Sequence, residues 1–277
     1  MQVQGSGSRV LIVGAAGGIG GAATAALTAA GHEVVAADIR LDALPDEAAQ
    51  KLYLDVTDDA SIAAAVDAVE AAGPIDSLIC CVGVSIWTPI EVADRTQLED
   101  VFSLNVIGPM QLARAVLPAM RERGSGQIVM LSSGAGRMVT PLIGWYAATK
   151  HAIEAACEAL RYDVGHLGVR VSVVEPGAFD TEIASRRIWA RPEDPYYARL
   201  TSDLIDALGR KNAKPGPVCE VADLLVRLVE DPAPRFRWPV PEGTAKAIRD
   251  RLETPDHEVE ARMRAQMGLP TVPTPTP

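Results

Sequence analysis

Residues Arg9–Val13 read RVLIV and lead directly into the glycine-rich stretch GAAGGIG at residues 14–20. A short β-branched run of this kind is typical of a strand buried on both faces. The next segment, Ile19–Ala30, is rich in small helix-forming residues, and Gly31 is placed to end that helix. Strand, glycine turn and helix in this order predict the first βα unit of a parallel α/β sheet.

The glycines of this turn favour a site for a dinucleotide. Glycine lets the backbone turn tightly and approach a pyrophosphate, while the following helix directs its positive amino end at that anion. A glycine cluster alone is a weak signal, because many are ordinary turns, so its position between a strand and a helix is what gives it weight. The turn residues expected to contact the cofactor are Gly14, Gly17, Gly18, Ile19 and Gly20.

Asp38 ends the second predicted strand, Glu33–Ala37. A carboxylate there can hydrogen-bond both ribose hydroxyls of NAD and would repel the 2′-phosphate of NADP, so NAD is favoured. Two alternatives stay open: Asp38 merely caps a turn, or Arg40 reaches a phosphate. Asp55, after a third strand at Leu52–Leu54, is either an adenine contact or a helix cap. Further expected cofactor contacts are Ile39, Val56, Cys81 and Gly83.

Strands and helices alternate along the rest of the chain, which predicts a doubly wound parallel sheet with helices on both faces. We expect one Rossmann-like domain over residues 9–268, a flexible N-terminus at 1–8 and a disordered tail at 269–277. The sequence of residues 181–217, called the substrate flap below, predicts an irregular segment with short helices. The further predicted strands are Ser77–Val82, Gln127–Leu131, Val169–Val174 and Arg235–Val240, and the helices are Ser61–Ala72, Asp94–Arg123 (bent near Gly108-Pro109), Trp145–Leu167, Val221–Val229 and residues from Glu242 onward.

Bulk composition limits the classes of partner. A net charge of −10 argues against nucleic acid and anionic membranes, which both need a basic face. No apolar stretch approaches a membrane span, and the polar start does not resemble a signal peptide. The four cysteines form no CxxC pair, so we expect reduced thiols, no metal and a cytoplasmic location.

Tyr146 and Lys150 are four residues apart on a predicted helix, so their side chains share one face. A neighbouring ammonium lowers the pKa of a phenol, and the pair can then act as an acid/base group. Ser133 follows the strand Gln127–Leu131, at the edge where such sheets bind ligands, and its hydroxyl can contact the same substrate oxygen. For its neighbour Ser132 we expect only turn or helix-cap chemistry.

Taken together, these residues resemble the short-chain dehydrogenase/reductase family. Over about residues 9–181 the family motifs appear here as Gly14-x-x-x-Gly18-Ile19-Gly20, Asn105-Val106-x-Gly108, Ser133, Tyr146-x-x-x-Lys150 and Pro176-Gly177-x-x-x-Thr181. The resemblance implies an NAD-dependent oxidoreductase acting on CH-OH groups, with a secondary alcohol or ketone as substrate. The stretch 160–177 looks closest to the hydroxysteroid and retinol dehydrogenase branch, which suggests an apolar substrate.

The resemblance also implies roles for particular residues. Tyr146 would exchange the proton, Ser133 would orient the substrate, and Lys150 would bind the nicotinamide ribose and lower the pKa of Tyr146. Asn105 would hold a water that links Lys150 to solvent, although it could also bond backbone at a helix kink. Contacts to the nicotinamide end would come from Pro176, Gly177 and Thr181. The helices Asp94–Arg123 and Trp145–Leu167 would form the interface of a homodimer or homotetramer.

Two positions depart from the family pattern. Val13 stands where the family usually has Thr, and Cys80-Cys81-Val82-Gly83 stands where it has Asn-Asn-Ala-Gly. The loss of these polar groups predicts a looser cofactor site and gives some weight to an alternative, a non-catalytic dinucleotide-binding regulatory or scaffold protein. Five residues could line an apolar pocket or belong to core or surface: Trp87, Met138, Leu142, Trp189 and Tyr196.

Overall fold

The computed structural model of the chain describes residues 7–181, 188–189, 193–211 and 215–270. The predicted flexible N-terminus and disordered tail fall almost wholly outside these residues and stay predictions. The side chain of Trp189 also lies outside them.

Seven of the described strands form one parallel sheet in the order β3-β2-β1-β4-β6-β7-β9, and the short strands β5 and β8 pair separately. The strands are β1 Arg9–Val13, β2 Glu33–Asp38, β3 Gln50–Tyr53, β4 Ser77–Cys80, β5 Ile86–Trp87, β6 Gly126–Leu131, β7 Val169–Pro176, β8 Ile188–Trp189 and β9 Arg237–Val240. The predicted doubly wound α/β fold is therefore confirmed.

Helices connect these strands and cover both faces of the sheet. They are α1 Gly18–Ala29, α2 Asp59–Ala72, α3 Arg95–Phe102, α4 Gly108–Arg123, α5 Gly144–Val164, α6 Pro195–Lys211, α7 Cys219–Glu230, α8 Glu242–Glu253 and α9 Asp256–Met267. A π-helical turn, Ser103–Ile107, joins α3 to α4, and a short 3-10 turn, Gly134–Gly136, follows β6.

Side chains that alternate along each strand contribute to two separate hydrophobic cores, one on each face of the sheet. In β1, Leu11 and Val13 face the core formed with α2, α4 and α5, whereas Val10 and Ile12 face the core formed with α1 and α7. Successive side chains of a strand point to opposite faces, so a continuous apolar run is what a sheet covered on both sides requires. This accounts for the RVLIV sequence.

The strand order reverses at β1, which lies between β2 and β4. In open parallel sheets, ligands bind at such a switch point, outside the carboxyl ends of the strands. The glycine turn after β1, the loop after β4 and the turn after β6 all lie at that edge. The fold thus brings the predicted cofactor and catalytic residues to one side of the sheet.

Several predictions of local structure were wrong. The substrate flap contains a 17-residue helix, α6, whose apolar side packs with α9, Leu142 and Trp87 into a small separate core. The helix after β3 begins at Asp59 and is capped by Asp58, so Asp55 is not its cap. The Asp55 carboxylate instead accepts hydrogen bonds from the backbone and hydroxyl of Thr57.

Candidate active site

Close contacts explain the glycines of the turn after β1. Gly14 has a φ of +84°, and a Cβ there would lie 2.9 Å from the Cys81 carbonyl carbon. A Cβ on Gly20 would overlap the carbonyl oxygen of Gly14, and one on Gly18 would lie 3.3 Å from the Thr181 side chain. Side chains at these positions would therefore close the turn, and glycine keeps its backbone accessible.

The amino end of α1 is left uncapped by side chains. Its N-cap is Gly17, which makes no side-chain hydrogen bond, and its first turn holds no acidic residue. By contrast, Asp58 caps α2 and Asp94 caps α3. A helix end with its N–H groups and partial positive charge available suits an anion such as a pyrophosphate.

Asp38 is buried at the end of β2 and fixes the loop beside the glycine turn. Its carboxylate accepts hydrogen bonds from the backbone N–H of Ala16 at 3.1 Å and of Arg40 at 3.0 Å. The Arg40 guanidinium lies 3.7 Å from the same carboxylate and donates to the Ala16 carbonyl at 2.8 Å. The turn-capping alternative for Asp38 is thus realised, and the Arg40 guanidinium lies beside the same carboxylate.

Backbone bonding holds together the loops that carry the two departures from the family pattern. The Cys81 N–H donates to the Val13 carbonyl at 2.8 Å, so the lost polar side chains are not needed for this link. Cys80 is buried, and burial raises the pKa of its thiol to about 11. Burial also raises the pKa of the Cys81 thiol. Both therefore stay protonated and behave as small apolar residues.

A cleft of about 260 Å³ joins these parts. It is lined by most of the predicted cofactor residues together with Ser133, Tyr146 and Lys150. The predicted members are Gly14, Gly17, Gly18, Ile19, Gly20, Cys81, Gly83, Pro176, Gly177 and Thr181. Sequence reasoning missed Val82, Leu131, Ser132, Ala178 and Phe179, which adjoin predicted residues along the chain.

Five predicted residues do not line this cleft: Asp38, Ile39, Asp55, Val56 and Asn105. Asp38 and the exposed Ile39 lie at and just beyond the end of β2, beside the glycine turn. Val56 is buried where the chain passes Gly108, since a Cβ on that glycine would overlap the Val56 carbonyl oxygen. Its side chain belongs to the core.

Tyr146 and Ser133 are brought together at half-buried positions on the wall of the cleft. A hydrogen bond with Ser133 lowers the pKa of the Tyr146 phenol, but burial has the larger effect and raises it above its ordinary value of 10. The expected lowering by Lys150 is therefore wrong for this structure. The reason is geometric: the Lys150 ammonium lies 5.8 Å from the centre of the Tyr146 ring and bonds elsewhere.

Lys150 is buried, and its Nζ donates to the Leu131 carbonyl at 3.0 Å. Burial lowers the pKa of this ammonium from 10.5 to about 8, while the nearby Glu154 carboxylate acts to raise it. A Cβ on Gly83 would lie 3.3 Å from Nζ and 3.4 Å from the Asn105 Oδ1. Glycine at this position therefore leaves the ammonium accessible from the cleft.

Asn105 lies within the π-helical turn and ties three elements together. Its Oδ1 accepts from the Val84 N–H at 2.8 Å, and its Nδ2 donates to the Val84 carbonyl at 2.9 Å and to the Thr149 hydroxyl at 3.0 Å. The alternative reading of Asn105 as a backbone-bonding residue at a helix irregularity is thus realised. π-Helical turns of this kind are frequent at functional sites.

The two serines of the turn after β6 differ from the expectation in one respect, which of them caps the turn. Ser133 is the residue that caps the 3-10 turn, because its Oγ accepts from the Ala135 N–H at 3.1 Å. Ser132 was expected to serve as the cap, but its hydroxyl is buried and has no hydrogen-bond partner among the described residues. Ser133 keeps its place beside Tyr146.

A second cavity of about 470 Å³ opens beside the cleft, and the described residues that line it carry no charged side chain. Ser133, Tyr146, Pro176, Gly177 and Ala178 line both spaces. Of the proposed pocket residues, Trp87 and Met138 line this cavity. Leu142 is instead buried in the small core with α6 and α9, and Tyr196 is exposed against Tyr197.

Other site chemistries find little support in the described residues. All four cysteines are free thiols. Within the described ranges, no group of three or more His, Cys, Asp or Glu side chains is arranged to hold a metal ion. The same part of the chain contains no helix with the length and apolarity that crossing a membrane demands.

Comparison with known proteins agrees with this geometry. The sequence profile described as "short chain dehydrogenase" matches residues 8–190, well over half of the chain. The protein belongs to the short-chain dehydrogenase family. It is therefore an oxidoreductase of a family that binds a nicotinamide dinucleotide.

Relatives of this short-chain dehydrogenase include an uncharacterized oxidoreductase of Schizosaccharomyces pombe, 31% identical over 217 residues that cover 78% of this chain and 92% of the relative. Human 17-beta-hydroxysteroid dehydrogenase type 1 is 29% identical over 225 residues, covering 77% of this chain and 66% of the human protein. The likeness to the hydroxysteroid dehydrogenase branch is thereby confirmed.

Solved structures show the same fold. A short-chain dehydrogenase from Streptomyces avermitilis superposes with a TM-score of 0.79 at 30% identity, covering 94% of this chain and 96% of that one. Two structures at 20% identity show the fold alone: a Burkholderia cenocepacia short-chain dehydrogenase with NADP (TM-score 0.75, covering 96% and 99% of the chains) and a Brucella melitensis 3-ketoacyl-(acyl-carrier-protein) reductase with NADH (0.73, 87% and 99%).

Proposed function

We propose that this short-chain dehydrogenase interconverts a secondary alcohol and a ketone with NAD(H), using Ser133, Tyr146, Lys150 and Asn105. The observation that carries the proposal is the wall shared by the glycine-lined cleft and the uncharged cavity. Ser133 and Tyr146 lie on that wall and face both spaces. A substrate carbon in the cavity would therefore meet a nicotinamide in the cleft next to these two hydroxyls.

The residues present fit such a cofactor. The glycine turn leaves its backbone accessible and the uncapped end of α1 adjoins it, so the turn would hold the pyrophosphate. Asp38 and Ile39 would meet the adenosine end, with Asp55 and Val56 further along the same edge. The nicotinamide ring would supply or accept the hydride.

Tyr146 would carry the proton. Because burial keeps the pKa of its phenol above the ordinary value, the hydroxyl is protonated at neutral pH and can donate directly to a ketone oxygen. For alcohol oxidation the phenol would first have to lose this proton to solvent through the proposed Lys150 and Asn105 water link, so that the phenolate could accept the proton of the alcohol. Ser133 would donate a hydrogen bond to the same oxygen and hold it in place.

Lys150 and Asn105 would support this transfer. With a pKa of about 8, the ammonium is mostly protonated at neutral pH and can donate to ribose hydroxyls across the space that Gly83 leaves open. Asn105 fixes the backbone at Val84, next to that space. Its proposed water link to solvent would run along this edge.

The substrate is proposed to be an uncharged, mainly apolar small molecule. The described cavity walls offer Trp87, Met138 and Ile143 for apolar contact and only hydroxyls as polar partners. A carboxylate or phosphate would find no cation to pair with there, and burying it unpaired would be costly.

The preference for NAD over NADP rests on Asp38, whose carboxylate would repel a 2′-phosphate. Arg40 works in the other direction, since it lies beside Asp38 and could pair with that phosphate. We propose that repulsion of the 2′-phosphate by the buried Asp38 carboxylate outweighs its attraction to Arg40, because the carboxylate already engages the Arg40 backbone and guanidinium. The free cysteines favour a cytoplasmic protein, which cell fractionation would test.

The alternative is a dinucleotide-binding regulatory or scaffold protein without turnover. Val13 and the Cys80-Cys81 pair favour it, but the backbone link between Cys81 and Val13 shows how the two loops stay joined without polar side chains. The joint placement of Ser133, Tyr146 and Lys150 on one cleft favours the enzyme.

A spectrophotometric screen tests the proposal. A panel of apolar secondary alcohols and ketones is mixed with NAD(H) or NADP(H), and reduced cofactor is followed by its absorbance. We expect turnover with at least one apolar member, faster with NAD(H). Binding of NADH without turnover across the panel would favour the scaffold function.

A further inference from the structure

Behind the cleft lies a buried group of charged side chains that the proposed reaction does not use. Its core is formed by Glu154 on α5, Glu175 at the end of β7 and Arg237 on β9. Both carboxyl groups are almost fully buried, with 4% and 1% of their residues exposed. Arg237 donates to Glu154 at 2.8 Å through Nε and to Glu158 at 2.7 Å through Nη2.

Glu175 lacks a comparable partner. Its Oε1 lies 3.6 Å from the Arg137 Nη1 and 4.0 Å from the Arg237 Nε, both too far for a hydrogen bond. Among the described residues, Oε1 of Glu175 and Oε1 of Glu154 are buried without a hydrogen-bond donor. Both carboxyl groups flank the same Arg237 Nε, at 2.8 Å for Glu154 and 4.0 Å for Glu175, so a hydrogen bond between the two groups would give these oxygens a partner.

Two ionised carboxylates cannot form that bond, because each is only an acceptor. One proton between them supplies the missing donor. It also relieves the repulsion between two negative charges that would otherwise both be almost fully buried.

We infer that Glu154 and Glu175 share one proton in the folded protein, and that this protonated pair, together with Arg137 and Arg237, positions the loops around the cleft. Burial and the neighbouring Glu154 raise the pKa of Glu175 from 4.5 to about 7, while Arg137 and Arg237 act to lower it. The other titratable groups close to the pair are Glu158, Lys150 and Cys157, all on α5.

The positioning role, which rests on the proposed function, follows from where the members attach. Glu154 lies one helical turn after Lys150, and Glu175 directly precedes Pro176-Gly177, which lines the cleft. Arg137 ends the turn that Ser133 begins. Packing there is tight, since a Cβ on Gly136 would lie 2.6 Å from the Ser132 Oγ and 3.1 Å from the Glu154 Cγ.

Infrared difference spectroscopy tests the shared proton without any substrate. Between about pH 5.5 and pH 8.5, a carboxylic-acid C=O band should disappear with a midpoint near the Glu175 value. Glu175→Gln and Glu154→Gln should each remove the band, because the new amide supplies the donor. Glu158→Gln is the matched control and should keep it, since Arg237 holds the pKa of Glu158 below its ordinary value.

Thermal unfolding gives a second measurement that does not depend on activity. A raised pKa means that the folded state binds the proton more tightly, so stability falls as pH rises from 4.5 through about 7. The difference in melting temperature between Glu175→Gln and the wild type should therefore shift in favour of the variant over that window and stay constant above it. No acid band in the wild type, or a band that survives both Gln substitutions, would overturn the inference.

Activity separates this inference from the proposed function. If the screen finds turnover, Glu175→Gln should remove one limb of the pH profile of kcat while changing KM for the cofactor less than twofold. An unchanged kcat profile would refute the positioning role. An acid band together with an inactive wild type would instead count against the proposed function alone.

Discussion

At the residue scale, environment reverses what sequence spacing suggests for Tyr146. The four-residue spacing to Lys150 correctly places both side chains on one cleft. Spacing does not reveal that the Lys150 ammonium donates a hydrogen bond to the Leu131 carbonyl. It also does not reveal that burial affects the pKa of the Tyr146 phenol more than the hydrogen bond with Ser133 does. The pKa of a group depends on contacts that are remote in sequence, which is why its direction could not be predicted.

Asp38 carries the prediction that belongs to this scale. Asp38→Asn keeps an acceptor for the backbone of Ala16 or Arg40 but removes the negative charge that faces the ribose. Affinity for NADP(H) relative to NAD(H) should rise by about tenfold, equivalent to about 1.4 kcal/mol. Fluorescence titration of both reduced cofactors measures the ratio.

Asp42→Asn is the control for Asp38→Asn, since it removes the same charge from an exposed position four residues on. It should leave the cofactor ratio unchanged. A wild type that already binds NADPH more tightly than NADH would contradict the role given to Asp38.

At the element scale, periodic segments were predictable and irregular ones were not. The apolar runs and glycine turns placed the strands of the central sheet, and the long helix Asp94–Arg123 was found with an irregularity near its middle. The irregularity is a π-helical turn at Ser103–Ile107 rather than a bend at Gly108-Pro109. Its cause is non-local, because Asn105 bonds Val84 and Thr149.

The short strands β5 and β8 and the helix α6 escaped prediction for a similar reason. Two-residue strands exist only through their pairing, here Ile86 with Ile188. The polar, proline-containing sequence of the substrate flap concealed a helix whose apolar side is buried by packing against α9, Leu142 and Trp87, all distant in sequence. Tertiary contacts determine the secondary structure of such segments, and these contacts are not visible in a single sequence.

At the scale of the whole molecule, the family resemblance leads us to propose a homodimer or homotetramer assembled through the helical regions Asp94–Arg123, which holds α3 and α4, and Trp145–Leu167, which holds most of α5. Large apolar side chains are exposed on and beside these helices, namely Ile107 at 57% and Tyr162 at 72%. Exposed apolar surface of this kind is typical of interfaces. The described chain has two large cores of its own, so assembly would add to a fold that is already complete.

Sedimentation equilibrium tests the assembly. We expect the mass of two or four chains at micromolar concentration, and Tyr162→Glu should shift it towards one chain by placing a charge in the interface. Tyr53→Glu, at an exposed tyrosine on the edge strand β3, is the matched control and should not. A single-chain mass for the wild type would refute the proposal.

Tyr146→Phe tests the central claim most directly, because it removes one hydroxyl and leaves the aromatic ring in place. With the best substrate of the screen, kcat should fall by about 10² to 10⁴-fold, while the dissociation constant of NADH changes less than about twofold. Tyr162→Phe, on the same helix but exposed, should retain full turnover. Turnover by Tyr146→Phe at the wild-type rate would show that this phenol does not move the proton and would contradict the account.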